Sequence, residues 1–205
     1  MSAPVRRTAL LLVVLALTGC SGEDESGSNA SVADGMELVL ADGDVGTPPF
    51  VRFDDGEQRR TDMAPPRDDP ARFHRQGGWK ARFQRGGGVR TQGPLVIESR
   101  ADLFETAGGA SDDFDLYKEA LDELAFGAAG TQIEPAPDVG EESHAVTFRQ
   151  GVPPSAVRYY AIAWRQGNVT AYITVNGFDR RLTFPQAVAL ARKQEARIER
   201  ELGES

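Results

Sequence analysis

The sequence is poor in the residues that build crosslinks and metal centres. Among its 205 residues there is one cysteine, Cys20, and there are two histidines, His74 and His144. A single cysteine excludes an intramolecular disulfide, although exported chains tend to pair their cysteines. A zinc site needs clustered His, Cys and acidic ligands, and neither histidine belongs to a His-x-x-x-His array. We therefore predict no disulfide and no metal site.

Sequence signatures of common enzyme classes are missing as well. There is no Gly-x-Ser-x-Gly elbow and no Ser-x-x-Lys pair. The run Gly86 to Gly88 has neither the phosphate-binding spacing nor a following lysine and helix, so it indicates a hairpin tip. His144 lies within a strand pattern, and we interpret it as a packed or edge residue. We predict no catalytic residue and no cofactor, and therefore a protein that is not an enzyme.

Long hydrophobic runs are also absent. The apolar run from Ala9 to Leu17 is too short to span a hydrocarbon core ~30 Å thick as a lone helix. It follows Arg6 and Arg7, and a basic region before a short apolar run is typical of a secretory signal peptide. The alternative interpretation is a buried N-terminal helix or strand of the domain.

Leu17-Thr18-Gly19-Cys20 closes this run and resembles the lipobox of bacterial lipoprotein signal peptides, on a chain of actinobacterial type. The resemblance implies export, attachment of a diacylglycerol to Cys20 through a thioether, and cleavage just before Cys20. Two or three acyl chains, at ~0.8 kcal/mol per buried CH₂, hold a protein stably on a membrane. We therefore predict a lipoprotein anchored through Cys20 on the extracytoplasmic face of the cell membrane.

The charge of the chain limits its partners. It carries 23 Lys plus Arg against 31 Asp plus Glu, a net charge of −8, and 40% of its residues are apolar. The apolar content is ordinary for a soluble chain that buries a core. An acidic surface of this size repels phosphate backbones and anionic headgroups, so we predict no nucleic-acid partner.

Composition divides the chain into four parts. After the signal peptide (1–19), the Ser-, Gly- and acid-rich segment 20–35 cannot offset its ordering entropy and is predicted to be a lipidated flexible tether. Residues 36–78 contain many prolines and are predicted to be an irregular N-terminal segment of the domain. The globular domain itself is predicted over 79–205.

Periodicity within the domain predicts two helices and six strands, with a further edge strand at 50–53. One helix is capped by Ser111 and ends at Gly127, and the other begins with a capping box at Thr183 to Gln186. Gln166-Gly167 is predicted as a tight hairpin turn, since glycine supplies the positive φ. The result is an α+β domain with a mostly antiparallel sheet and two main helices packed on it. The strands are expected at 79–84, 95–97, 131–134, 144–148, 160–164 and 169–175.

The stretches Tyr159 to Val169 and Val175 to Phe178, followed by the helix from Thr183, prompt a comparison with known families. A strand, Arg-x-Gly-Asn-Val, a second strand and an Ala-rich helix resemble small exported lipoproteins with a PsbP-like sandwich domain, and extracellular sensor-like domains. The resemblance implies a binding or accessory module of the cell envelope, and it implies no particular functional residue.

Tyr159 and Tyr172 are the candidate binding residues, because each lies on the polar side of its strand and the two could share a surface patch. The predicted function is a non-enzymatic module that binds an envelope protein or an apolar small molecule. Two alternatives stay open: an envelope hydrolase or transferase with an unrecognised site, and a structural spacer.

Overall fold

The computed structural model describes residues 35–47, 49–58 and 73–203. Cys20, the predicted signal peptide and nearly all of the predicted tether lie outside these residues. Within them, strands and helices follow in the order that the periodicity predicts, including the edge strand expected near residue 50. The elements are β1 (Val51–Gln58), β2 (Arg75–Gln84), β3 (Val96–Phe104), α1 (Ala107–Gly127), β4 (Thr131–Gln132), β5 (Glu142–Gln150), β6 (Val157–Gln166), β7 (Val169–Phe178) and α2 (Phe184–Gly203).

The seven strands of the described residues form one sheet in the order β1-β2-β3-β7-β6-β5-β4, and every neighbouring pair is antiparallel. The α+β class with an antiparallel sheet is therefore confirmed. The β6–β7 hairpin turns at Gly167, whose φ is 55°, as predicted. At the centre of the sheet, β3 pairs with β7 from Val96 opposite Asn176 to Leu103 opposite Val169. This pairing joins the N-terminal strands to the C-terminal strands.

The two helices cover opposite faces of the sheet. Ile162 of β6 and Ile173 of β7 belong to the core cluster that includes α2. Their neighbours in the chain, Ala163 and Tyr172, belong to the cluster that includes α1. Because successive residues of a strand point to opposite faces, the domain has three layers, with the sheet between the helices.

Helix α2 begins where the capping box predicts. The backbone N–H of Thr183 donates to Gln186 Oε1 at 3.0 Å, and the helix starts at Phe184. Its buried side chains recur at helical spacing and form one stripe against the sheet, which is why an amphipathic helix forms here. These residues are Ala187, Leu190, Ala191, Gln194, Ile198 and Leu202.

Helix α1 corrects one prediction. It ends at Gly127 as expected, but it starts at Ala107, so Ser111 is not its N-cap. Thr106 is the N-cap, because its Oγ1 accepts a hydrogen bond of 3.1 Å from the Gly109 N–H. A threonine one turn earlier satisfies the first free N–H groups of the helix, and Ser111 then lies within it.

A buried hydrogen-bonded chain ties the N-terminal segment to the fold. Leu38 and Leu40 are fully buried, and the N–H of Leu40 donates to Ser99 Oγ of β3 at 2.9 Å. Ser99 Oγ donates to Gln194 Oε1 of α2 at 2.8 Å, and Gln194 Nε2 donates to the carbonyl of Arg100 at 2.8 Å. The residues near 40 are therefore part of the core.

An ion pair is buried between β2, which carries Arg75, and β3, which carries Asp102. Arg75 Nε donates to Asp102 Oδ1 at 2.7 Å, and a second guanidinium nitrogen lies 2.5 Å from the same oxygen. Both side chains are almost completely inaccessible to solvent. Removing one member of such a pair leaves the other charge buried without its counter-ion.

We expect Asp102→Ala to lower the free energy of unfolding by about 3–5 kcal/mol, because it strands the Arg75 guanidinium in the interior. Asp115→Ala is the matched control, since Asp115 is 64% exposed and pairs with Lys118 on the helix surface. Its effect should stay below about 1 kcal/mol. Urea denaturation followed by circular dichroism measures both. Equal losses of unfolding free energy in the two variants would contradict a special contribution of the buried pair to stability.

Candidate functional site

A cavity of about 510 Å³ opens at the end of the sheet where β6 begins and β7 ends. Three connections enclose it: the loop between β2 and β3, the loop between β5 and β6, and the turn between β7 and α2. The walls combine basic side chains with an apolar surface. The lining residues are Val89, Arg90, Pro153, Pro154, Ala156, Asp179, Arg180 and Arg181.

Three arginines give the cavity its character. Arg90 and Arg180 are exposed, and Arg181 is half-buried. Within the described part of the chain, none of these three guanidinium groups forms an ion pair or a hydrogen bond. Guanidinium groups present planar forks of N–H donors that match phosphate and carboxylate oxygens. The cavity therefore offers unused donors and positive charge to an anionic group.

The acid in the wall, Asp179, is engaged by two other arginines. Arg158 donates to Asp179 Oδ1 from Nε at 3.0 Å and from a terminal nitrogen at 2.9 Å, and Arg149 lies 3.7 Å from Oδ2. Burial raises the pKa of Asp179, but the hydrogen bonds and charge of Arg158, with the charge of Arg149, outweigh burial and hold that pKa below its ordinary value. Asp179 is therefore ionised and structural.

Local hydrogen bonds position the cavity arginines. Val89 and Arg90 occupy the tip of a turn that Gly88 and Thr91 close, with Thr91 N–H donating to the Gly88 carbonyl at 2.8 Å. In the turn after β7, the Arg181 N–H donates a hydrogen bond of 2.9 Å to the Phe178 carbonyl. The two turns are then joined directly, because Gly93 N–H donates to the Arg181 carbonyl at 2.9 Å.

Arg180 has a backbone conformation that non-glycine residues rarely adopt. Its φ is 66°, in the left-handed region, where a Cβ atom makes the conformation unfavourable. Strained residues of this kind concentrate at functional sites. An arginine at this position of the cavity wall is consistent with a role for its side chain.

A second depression, of about 430 Å³, lies beside the start of α2. The one cation among its described lining residues, Arg85, is already used within the protein. It donates to the carbonyls of Pro94 and Gln92, and its guanidinium lies 5.2 Å from the centre of the Phe50 ring. This depression therefore has no free charged group with which to select a ligand.

The histidines and acids of the described residues form no recognisable catalytic or metal centre. No group of three or more His, Cys, Asp or Glu side chains within 35–47, 49–58 and 73–203 could hold a metal ion. His144 Nε2 lies 2.8 Å from Asp122 Oδ1 of α1, in a contact that packs the helix against β5. His74 is exposed and lies 3.8 Å from Glu105.

The tyrosines that the sequence singles out, Tyr159 of β6 and Tyr172 of β7, lie on the same face of the sheet. Tyr172 is opposite Ala163, four residues along β6 from Tyr159. Tyr159 stacks on Phe148, with ring centres 4.8 Å apart. Tyr172 is 8% exposed and packs edge-on against Tyr117 of α1, with ring centres 5.3 Å apart. Burial raises the pKa of the Tyr172 hydroxyl above its ordinary value. The shared patch stays a prediction, and the predicted lipidation site Cys20 lies outside the described residues.

Sequence reasoning missed all three cavity arginines. Arg90 belongs to a loop interpreted from its glycines alone, and Arg180 and Arg181 lie in a short connection between two regular elements. One signal was available: the Asp-Arg-Arg run directly after a strand places adjacent basic residues at a loop-rich sheet end, where binding residues are common.

Comparisons with known proteins identify the fold. No protein-family model matches the chain, and no curated protein matches it. Among solved structures it is similar to the extracellular domain of PknH from Mycobacterium tuberculosis, with a TM-score of 0.54 and 12% identity. The match covers 87% of this chain and 100% of that one. No helix in the described ranges is long and apolar enough to cross a membrane.

The lowered pKa of Asp179 predicts a pH-dependent contribution to stability. A depressed folded-state pKa stabilises the protein above the unfolded-state pKa, about 3.9, and this stabilisation is lost as the pH falls through the folded-state value. We expect Asp179→Asn to lower the free energy of unfolding by about 1.5–3 kcal/mol at pH 7. The loss should become progressively smaller below pH ~4.

Urea denaturation between neutral and acid pH measures this effect, with the exposed Asp112→Asn as the control. A loss for Asp179→Asn that is the same at every pH would show that the carboxylate charge is irrelevant to the network.

Proposed function

We propose that this chain is a non-enzymatic binding module displayed outside the cytoplasm, and that it holds an anionic ligand in the arginine cavity. The observation that carries the proposal is the set of three unpaired guanidinium groups, from Arg90, Arg180 and Arg181, around one cavity. This concentration of positive charge occurs in a chain of net charge −8. The field inside such a cleft raises the local concentration of anions.

The walls indicate what kind of anion fits. Arginines recognise planar or tetrahedral oxyanions through paired N–H groups. Val89, Pro153 and Pro154 add an apolar wall beside them. A phosphate, sulfate or carboxylate group attached to a less polar body would contact both the arginines and the apolar wall. A purely apolar molecule would leave the guanidinium groups without acceptors.

The cavity chemistry favours binding over catalysis. Among the described residues that line it there is no serine, cysteine or histidine that could act as a nucleophile or a base. Asp179, the one acid among those residues, is hydrogen-bonded to Arg158, which lowers its basicity. Steady turnover of phosphate or carboxylate esters by the purified protein would contradict this part of the proposal.

Two observations support a location outside the cytoplasm. The domain shares its fold with an extracellular domain, and Leu17 to Cys20 resembles a lipobox. An anchor at Cys20 would place the binding domain next to the outer surface of the membrane. The module would then act as an accessory of the cell envelope.

The anion site is tested by titrating the full chain with inorganic phosphate and with glycerol phosphate in a calorimeter. Arg90→Gln and Arg181→Gln should each weaken binding by about tenfold or more, because each removes a charged hydrogen-bond donor. The control is Arg192→Gln on the exposed face of α2, which should leave the affinity unchanged. An equal effect of all three variants would contradict a specific site.

Arg180→Gly separates binding from stability. Glycine relieves the unfavourable φ, so the free energy of unfolding should stay constant or rise by up to ~1 kcal/mol. The affinity for phosphate should nevertheless fall about tenfold. A variant that loses stability while keeping its affinity would show that Arg180 is a structural residue.

The anchor is tested by growing cells with radiolabelled palmitate. The unaltered chain should be labelled and should sediment with membranes, whereas Cys20→Ser should be unlabelled, because it lacks the thiol that forms the thioether. The palmitate label is the deciding readout, because Cys20→Ser also keeps residues 1–19, whose apolar run can hold the chain on the membrane. Labelled, membrane-bound Cys20→Ser protein would contradict the proposed anchor.

A further inference from the structure

Two exposed valines lie on the loops that line the arginine cavity. Val89 is 42% exposed at the tip of the β2–β3 loop, and Val152 is 74% exposed in the β5–β6 loop. Val152 directly precedes Pro153, which lines the cavity. We call the surface formed by Val89, Arg90, Val152, Arg180 and Arg181 the basic apex. It combines apolar loop tips with unpaired arginines.

Positive charge dominates this end of the domain. Among the described residues that line the cavity or pair with its wall, there are five arginines and one carboxylate, and that carboxylate pairs with two of the five. The net charge of these groups is therefore strongly positive. The groups are Arg90, Arg149, Arg158, Arg180 and Arg181, with Asp179 as the acid.

Most arginines of the described residues outside the cavity are paired, and the exceptions are the exposed Arg192 and Arg200 of α2. Arg165 contacts the carboxylates of Glu141 and Glu142 at 2.6 and 3.1 Å. Arg197 contacts Glu37 at 2.5 Å and lies 3.5 Å from Asp44. The positive field at the basic apex is thus not a general property of this surface.

We infer that the basic apex docks on an anionic phospholipid bilayer, with a headgroup phosphate in the arginine cavity and the two valines at the acyl boundary. This inference rests on the proposed anion site and names its ligand. Basic residues near a membrane are attracted by the surface potential of anionic lipids, and apolar side chains between them enter the interface.

The valines favour a bilayer over a soluble anion. A small phosphate compound held among the arginines would leave Val152, outside the cavity lining, in water. A membrane surface covers both loop tips at the same time as the cavity. Apolar side chains lose their contact with water there, which is favourable in proportion to the area removed.

The net charge of −8 does not prevent this contact. At physiological ionic strength the Debye length is about 8 Å, so charges farther than that from the lipid surface are largely screened. The acidic residues that dominate the total therefore matter less than the arginines that face the lipid. The repulsion from anionic headgroups expected from composition would apply to other faces of the domain.

The length of the N-terminal segment is compatible with both contacts. Fourteen residues separate Cys20 from Gly35, the first described residue, and they can extend to at most about 50 Å. A ten-residue strand of this sheet is about 34 Å long. An anchored domain can therefore turn its basic apex towards the membrane that holds it.

The test uses the full chain with Cys20→Ser, so that no acyl anchor contributes, and vesicles of phosphatidylcholine with and without phosphatidylglycerol. Any attachment through residues 1–19 is common to both vesicles and is measured with phosphatidylcholine alone. We expect added phosphatidylglycerol to increase co-sedimentation. Arg90→Glu with Arg180→Glu should weaken this gain at least ~25-fold, at about fivefold per arginine.

Arg192→Glu with Arg200→Glu is the matched control, because it changes the net charge equally on exposed positions of α2. It should bind phosphatidylglycerol vesicles as the parent chain does. An equal loss in both double variants would overturn the basic apex as the contact surface.

Val152→Ser separates the bilayer from a free anion, because Val152 is 74% exposed and lies outside the cavity lining. It should weaken vesicle binding about threefold while leaving the calorimetric affinity for glycerol phosphate unchanged. If the parent chain binds glycerol phosphate but not the vesicles, the membrane inference is overturned and the anion site stands. If it binds neither, both are overturned.

Discussion

The pairing of β3 with β7 is the constraint on which the rest of the structure depends. It places Val96 opposite Asn176, and so brings the loop that precedes β3 beside the turn that follows β7. The Gly93 N–H then reaches the Arg181 carbonyl, and Arg90 faces the same cavity as Arg180 and Arg181. A shift of one residue would turn every side chain of β3 to the other face. The core and the cavity therefore share one register.

The arginines that this register brings together differ from most other arginines in their ion pairing. Most arginines of the described residues outside the cavity are paired, as Arg165 is with Glu141 and Glu142. At the cavity, Asp179 is paired with Arg158 and Arg149, so it does not neutralise the other guanidinium groups, which the proposed function assigns to a ligand. An acidic protein can in this way hold a basic site, because screening limits each charge to its own neighbourhood.

Local signals were sufficient to predict much of the fold. The β6–β7 hairpin follows from Gly167, and the start of α2 follows from the Thr183–Gln186 capping box. The predicted start of α1 was wrong because Thr106 and Ser111 are both residue types that cap helices well. The sequence pattern alone does not show that Thr106 is the one that caps the helix. The β3–β7 pairing joins residues 80 apart, as Val96 and Asn176 are, and no local pattern encodes it. The cavity could not be predicted for the same reason.

The central claim is that arginines from two distant parts of the chain bind one anion together. Nitrogen-15 NMR of the arginine side chains, during titration of the full chain with inorganic phosphate, tests it most directly. We expect the Nε–H signals of Arg90, Arg180 and Arg181 to shift together and saturate with one dissociation constant, while those of Arg192 and Arg200 stay in place. Small unsaturated shifts of equal size at all five arginines would contradict the claim.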